Sequence, residues 1–161
     1  MADNTIVLCP HCDTANRVPS ARLRERPTCG KCKHPLFDGR PVALNDRNFD
    51  RHLSGNELPL VVDFWAPWCG PCRSFAPTYE KLSDEHPDVV FAKVNTEEEQ
   101  DIAMHFQIRS IPTLMILREK VIIFSQAGAL PEGAFRDLIQ KAAELDMAEV
   151  HKQIAEESKN A

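Results

Sequence analysis

Two cysteines three positions apart, Cys69 and Cys72, lie in the octet Trp65-Ala66-Pro67-Trp68-Cys69-Gly70-Pro71-Cys72. A pair at this spacing suits thiol–disulfide exchange, in which a thiolate attacks a disulfide sulfur through a mixed-disulfide intermediate. The preceding run Leu60-Val61-Val62-Asp63-Phe64 reads as a buried strand. The stretch from Arg73 to His86 carries helical spacing of apolar residues, which puts Cys69 at a helix N-terminus. Unpaired N–H groups and the positive end of the helix dipole favour a thiolate there. Cys72 follows one helical turn later on the same side, so it can resolve a mixed disulfide internally. Gly70 and Pro71 suit the turn between them. The competing readings are a structural disulfide, rare in reducing compartments, or half of a metal site, which needs two further ligands nearby.

Asp63 interrupts the apolar strand just before the pair. An isolated buried carboxylate is costly, and desolvation raises its pKa into the range useful for proton transfer. It is therefore a candidate acceptor for the Cys72 proton. The alternative is a carboxylate satisfied in the core, with Lys93 on the neighbouring predicted strand as its partner.

Four more cysteines fall in two further Cys-x-x-Cys pairs, Cys9/Cys12 and Cys29/Cys32, sixteen residues apart. Two such knuckles at this separation predict a four-thiolate tetrahedral site for one structural zinc ion. A segment of about 40 residues buries too little surface to hold itself together without a metal or disulfides. With the shell filled by sulfur, His11 and His34 are expected to be solvent-facing turn residues. Arg17, Arg22, Arg24, Arg26, Lys31 and Lys33 make this module basic. No aromatic residues interleave with them, which argues against nucleic acid as a partner.

The 161 residues, 43% hydrophobic and 27% charged, suit one ordinary domain plus a small appendage. The net charge of −5 divides into +3 over residues 1–44 and −8 over residues 45–161, a sign change that suggests two modules. No apolar run approaches bilayer length. The start Met1-Ala2-Asp3-Asn4 lacks a basic region followed by an apolar stretch, so a cytoplasmic home is expected.

Phe37 to Pro41 reads as a junction. Beyond it the expected elements alternate: a short strand at 42–45, a helix capped by Asp46 and ending near 53, and a strand at 60–66. A helix at 69–86, kinked or broken at Pro77, is followed by a strand at 89–95 and a helix at 97–106 begun by Glu97-Glu98-Glu99. Strands at 113–118 and 121–126 form a hairpin. A long helix then starts near Pro131 and runs on through Val150 and Ile154. The pattern predicts an α/β fold with a mixed sheet, and reactive groups in such a sheet sit beyond the carboxyl ends of the strands. Phe64, Phe91 and Phe124 are expected in the core, Trp65 in packing, and Trp68 exposed.

The segment Val62-Asp63-Phe64-Trp65-Ala66-Pro67-Trp68-Cys69-Gly70-Pro71-Cys72 resembles the active-site segment of the thioredoxins. Ile111-Pro112-Thr113 and Gly128-Ala129 match two further positions, and the front module is similar to that of the bacterial thioredoxin 2 class. The resemblance covers about residues 41–145. It implies a thioredoxin fold, a central mixed sheet flanked by helices, preceded by a small zinc-ribbon-like module. It implies Cys69 as nucleophile, Cys72 as resolving thiol and Asp63 as proton acceptor and donor. Trp68, Gly70, Pro71, Ile111, Pro112 (as a cis-proline) and Gly128 would form the substrate surface. It also implies a protein-disulfide reductase acting on disulfide-containing proteins, without a bound organic cofactor and regenerated by an NADPH-dependent reductase.

The domains expected are 1–40, zinc module, 41–147, thioredoxin domain, and 148–161, a helical extension or tail, in a monomeric protein. Redox loss of the zinc is a possibility the four thiolates raise. The reading from another class is a zinc-dependent binding protein for a partner or nucleic acid, with a secondary redox domain. Arg118-Glu119-Lys120 stands where Asn-Gly or Asp-Gly is usual in a hairpin, which leaves the turn geometry open.

Overall fold

The computed structural model describes residues 3–159; residues 1–2 and 160–161, the outer ends of the expected module and extension, lie outside the described residues. The front module is an antiparallel pair, β1 (Asn4–Leu8) and β2 (Ala15–Pro19), followed by a 3-10 turn at Ser20–Glu25. Its core is small: Val7, Cys9, Val18, Leu23, Cys29 and Leu36, with Phe37 and Leu58 packed against it.

The larger domain is built on a five-stranded sheet in the order β3-β5-β4-β6-β7. The strands are β3 (Val42–Ala43), β4 (Leu60–Trp65), β5 (Val90–Asn95), β6 (Thr113–Arg118) and β7 (Val121–Ala127). β3, β5 and β4 run parallel; β6 is antiparallel to β4 and β7 to β6. Successive side chains on a strand face opposite ways, and the two cores follow that parity. Leu60, Val62 and Phe64 pack on one face with Phe49 of α1 (Phe49–Gly55) and Ile102 of α3 (Gln100–His105). Val61 packs on the other with Phe75, Tyr79 and Leu82 of α2 (Gly70–Glu85) and Phe135 and Ile139 of α4 (Glu132–Glu144). Asp63 shares Val61's parity and faces α2. Phe91 is in the α2-side core, and Phe124 packs against it partly buried.

Several boundaries differ from expectation for local physical reasons. α1 starts after an Asx-type turn in which Asn45 Oδ1 accepts from Arg47 and Asn48 N–H, so Asp46 is not its cap. α3 starts later than Glu97 because Asn95 Oδ1 accepts from Glu97 N–H at 3.0 Å and holds a turn. Pro77 sits inside α2 without ending it. Glu119 and Lys120 both take left-handed φ, 51° and 67°, so the two-residue hairpin reaches a primed-turn geometry without asparagine or glycine.

The last helix is not continuous. It breaks at Leu145, whose ψ of 139° is extended, and a separate helix α5 (Met147–Lys159) begins. Two side chains make the break. Arg118 Nη1 donates to the carbonyls of Ala142, Ala143 and Leu145 at 3.1, 3.1 and 2.9 Å, capping α4 with a cation at its negative end. Asp146 Oδ1 accepts from Glu149 N–H at 3.3 Å at the start of α5. Hydrogen bonds from a charged donor contribute about 1.5–3 kcal/mol. Arg118→Met is expected to lower stability by about 2 kcal/mol in urea denaturation; an unchanged midpoint would show that the clamp carries no weight.

Candidate functional site

Strand β4 ends at Trp65, and the chain passes through a turn into α2, whose N-cap is Cys69. The turn is closed by Cys69 N–H donating to Ala66 O at 3.1 Å. Cys69 and Cys72 are joined in a disulfide with Cα atoms 5.2 Å apart. Cys72 N–H donates to Cys69 Sγ at 3.2 Å, a bond that stabilises negative charge on that sulfur once the disulfide is opened. Pro71 occupies the first turn of α2, where a missing N–H costs nothing.

The other expected site residues gather around Cys69. Its Sγ lies 3.8 Å from Ile111 O, and the Ile111–Pro112 peptide is cis. Gly128 N–H donates to Pro112 O at 2.7 Å, which ties the loop after β7 to the same rim. Gly128 has φ 97° with open space where a Cβ would stand, so its conformation, not crowding, calls for glycine. Trp68 is 65% exposed beside Cys69, whereas Trp65 is half-buried. The result is an apolar rim above a sulfur that is itself nearly covered.

Beneath the rim lies a second chamber. A cavity of about 70 Å³ is lined by Cys72, Asp63, Trp65, Tyr79 and Lys93, with Pro41 among the residues closing it. Cys72 reaches this chamber and Cys69 does not line it. Asp63 is 5% exposed and its Oδ1 has no hydrogen-bond partner. Burial pushes its pKa up to about 7; the positive charge of Lys93 opposes the shift. Asp63 and Lys93 are register partners on β4 and β5, yet no salt bridge within 4 Å joins them, and Lys93 Nζ stands 5.1 Å over the Trp65 ring. The expected core partner therefore tempers the carboxyl without neutralising it.

Tyr79, the sole tyrosine, escaped the sequence reading. It lies seven residues after Cys72 and so on the same helix face. Its buried hydroxyl is shared between Ala92 O at 2.6 Å and Val61 O at 3.0 Å. Burial, then the nearby Asp63 charge, raises its pKa, so it stays a neutral wall of the chamber.

The front module holds a separate sulfur cluster. The ligand atoms of Cys9, Cys12, Cys29 and Cys32 lie within 4.8 Å of one another, with Cys9–Cys32 at 3.5 Å and Cys12–Cys29 at 3.7 Å. Tetrahedral zinc with bonds of about 2.3 Å requires sulfurs about 3.8 Å apart, so the cluster fits. Backbone N–H groups of His11 and Lys31 donate to Cys9 and Cys29 sulfurs, and Asn16 Nδ2 donates to Cys29, all donors suited to thiolates. The Cys32 and Lys31 N–H groups hold Cys29 down to about 6, while burial pushes Cys9 up to about 12. A divalent cation held by these four cysteines would override that spread by favouring the thiolate at each. His11 and His34 stack on one another at 4.5 Å, and His11 pairs with Asp38, outside the cluster.

Three of the module's five arginines are paired. Arg24 pairs with Asp88 and Arg26 with Asp84, on the far end of the larger domain, and Arg22 pairs with Glu25. The charge asymmetry of the chain thus serves docking between modules, although these exposed pairs are individually weak. Further joints lie just before β4: Ile6 exchanges bonds with the exposed Glu57, and Leu8 N–H donates to Asn56 Oδ1 in a buried bond. The 16-residue α2, about 24 Å long, separates its Asp84 end from Cys69. The four-cysteine cluster and the redox pair therefore occupy opposite ends of the domain.

Comparison with known proteins agrees with this geometry. The family pattern "Thioredoxin" matches residues 40–141, and "Thioredoxin 2, N-terminal" matches residues 8–34. The chain is 52% identical over 120 residues to a thioredoxin 2-type protein of Streptomyces coelicolor, covering 74% of this chain and 89% of that one. It is 39% identical to thioredoxin C-3 of Corynebacterium nephridii, covering 78% of this chain and 86% of that one. Among solved structures, a thioredoxin variant from Halobacterium salinarum superposes with a TM-score of 0.62 at 30% identity, over 67% of this chain and 95% of that one. Spinach chloroplast thioredoxin f gives 0.61 at 33% identity, over 66% of this chain and 88% of that one. With the Cys-Gly-Pro-Cys turn, the five-stranded mixed sheet and these matches in agreement, the chain belongs to the thioredoxin family and is a thiol–disulfide oxidoreductase.

Proposed function

We propose that the chain reduces disulfides in other proteins by the following sequence. The Cys69 thiolate attacks one sulfur of a target disulfide; that bond breaks, and the departing target sulfur takes up a proton. Cys72 gives its proton to Asp63 across the chamber and attacks Cys69 Sγ. The bond between Cys69 Sγ and the target breaks, the second target sulfur leaves as a thiolate and takes up a proton, Asp63 returns its proton to solvent, and Cys69–Cys72 becomes a disulfide. The target gains two electrons and the chain loses two, which an NADPH-dependent thioredoxin reductase restores. The observation that carries this reading is the division of the pair: Cys69 faces Ile111 and the exposed Trp68, while Cys72 faces the chamber of Asp63. A proton acceptor near neutrality is matched to that step.

The rim supports the substrate assignment. Trp68 and Gly128 offer a flat apolar surface, and the backbone at Ile111 and Pro112, just before β6 and beside Cys69 Sγ, suits pairing with an extended target segment. Gly70 and Pro71 shape the turn that presents Cys69. Residues 1–40 form the ribbon, with Cys9, Cys12, Cys29 and Cys32 holding one structural zinc ion. Residues 41–147 form the redox domain and 148–161 a helical extension. The pairing of Arg24 and Arg26 with the larger domain speaks against nucleic-acid binding as the main activity. No helix among the described residues is long and apolar enough to cross a membrane. A cytoplasmic monomer that needs no organic cofactor is the setting this chemistry suits.

Asp63 links function to stability. Its carboxyl is neutral in both folded and unfolded chains well below pH 3.8, and no pH-dependent cost arises there. As pH rises from 3.8 towards 7 the unfolded carboxyl ionises while the folded one keeps its proton, so stability falls. At about 1.36 kcal/mol per unit, the loss levels off above pH 7 at roughly 4 kcal/mol. Asp63→Asn is expected to be more stable than the parent by a few kcal/mol at pH 8 and equal to it near pH 4, by urea denaturation, with slower turnover in insulin reduction. A gain independent of pH would remove the carboxyl from this account. Cys72→Ser is expected to accumulate a mixed disulfide through Cys69 that mass spectrometry detects; a variant that still turns over insulin would overturn the assigned order of attack.

A further inference from the structure

The first cysteine knuckle is braced from the thioredoxin domain by a chain of hydrogen bonds whose polarity can be read end to end. Leu8 N–H must donate, so the Asn56 atom 2.9 Å away is Oδ1. Asn56 Nδ2 then stands 3.4 Å from His52 Nδ1 and 3.1 Å from His52 O. An amide nitrogen only donates, so Nδ1 accepts and the ring proton sits on Nε2. His52 Nε2–H donates to Asp13 Oδ1 at 2.9 Å. His52 is 1% exposed, and its ring is thereby used at both nitrogens.

Asp13 immediately follows Cys12 at the tip of the knuckle. It holds a left-handed φ of 61°, and its N–H donates to Cys9 O at 3.0 Å. The second knuckle supplies an internal comparison. Lys33 occupies the equivalent place, φ 67° with its N–H on Cys29 O at 3.0 Å, but its side chain folds back to Gly30 O within the ribbon. Only at the first knuckle does the tip residue reach the other domain, and it reaches a fully buried donor. The surroundings leave little slack: a Cβ at Gly55 would collide with Leu8 Cδ1, and Leu58 packs against both cores.

We propose that His52, oriented by Asn56, is a positioning residue of the four-cysteine metal centre, supplied by the thioredoxin domain. This rests on the reading that the cluster holds zinc. Asp13 fixes the loop that aims Cys9 and Cys12, and His52 fixes Asp13. Opening the knuckle strands the His52 Nε2–H in the core, so metal retention and the packing of α1 depend on each other.

The test uses full-length zinc-loaded protein and the rate of zinc transfer to a chromophoric chelator. Asp13→Gly removes the acceptor while keeping the left-handed backbone comfortable. Asp13→Asn keeps an acceptor oxygen. His52→Leu removes the donor, and Lys33→Gly serves as the control on the other knuckle. Asp13→Gly and His52→Leu are each expected to release zinc about tenfold faster, with no further gain in the double variant. Asp13→Asn and Lys33→Gly are expected to stay near the parent. If His52→Leu fails to fold, Asp13→Gly decides, because it alters only the ribbon. Parent-like release from Asp13→Gly overturns the inference while leaving the zinc reading intact; absence of zinc from the parent protein overturns both.

Discussion

One contact organises this molecule: the Cys72 N–H donating to the Cys69 sulfur at the first turn of α2. A sulfur held there meets unpaired backbone donors and the positive end of a helix dipole, both favouring negative charge. The rest of the domain keeps that sulfur in place. β4 delivers the turn, the Ile111–Pro112 loop lies against it, and α2 anchors it through Phe75, Tyr79 and Leu82 in the α2-side core. The same helix carries Cys72 inward to a chamber with a poorly solvated carboxyl. Two sulfurs one turn apart thus acquire different environments from the geometry of a single helix start.

The six cysteines divide by local context. In the ribbon, tight turns with left-handed tips at Asp13 and Lys33 converge four sulfurs on one point. In the larger domain the same Cys-x-x-Cys spacing opens a helix, and the two sulfurs bond to each other. The two centres lie at opposite ends of the sheet, so the ribbon stands apart from the rim where a target disulfide would dock. Its attachment is firmest at His52 and Asn56, where burial makes the hydrogen bonds to Asp13 and Leu8 count for more than the exposed arginine pairs do.

Much of this was legible in the sequence because its signals were local. The octet around Cys69, the paired knuckles and the apolar runs at 60–64 and 89–94 each declare chemistry or burial within a few residues. What stayed hidden depended on partners far along the chain. His52 looks like an ordinary helix residue until Asp13, 39 positions earlier, is placed beside it. The break at Leu145 follows from Arg118, which sequence patterning marked only as an unusual hairpin residue. The late start of α3 turns on whether Asn95 caps a turn or the acidic run Glu97-Glu98-Glu99 opens a helix, a choice periodicity cannot make. Arg24 and Arg26, which the sequence shows only as part of a basic module, become docking contacts once Asp88 and Asp84 are located.

The proposed reaction requires that the sulfur at the start of α2 be acidified by its position. The most direct measurement is the rate of alkylation of reduced Cys69 by iodoacetamide at pH 7, set against free cysteine, whose thiol ionises near about pH 8.5. Cys69 is expected to react several-fold faster than free cysteine, with a rate that stops rising well below the pH at which free cysteine's does. A Cys69 that reacts no faster at neutrality, and whose rate climbs in step with the free amino acid, would contradict it.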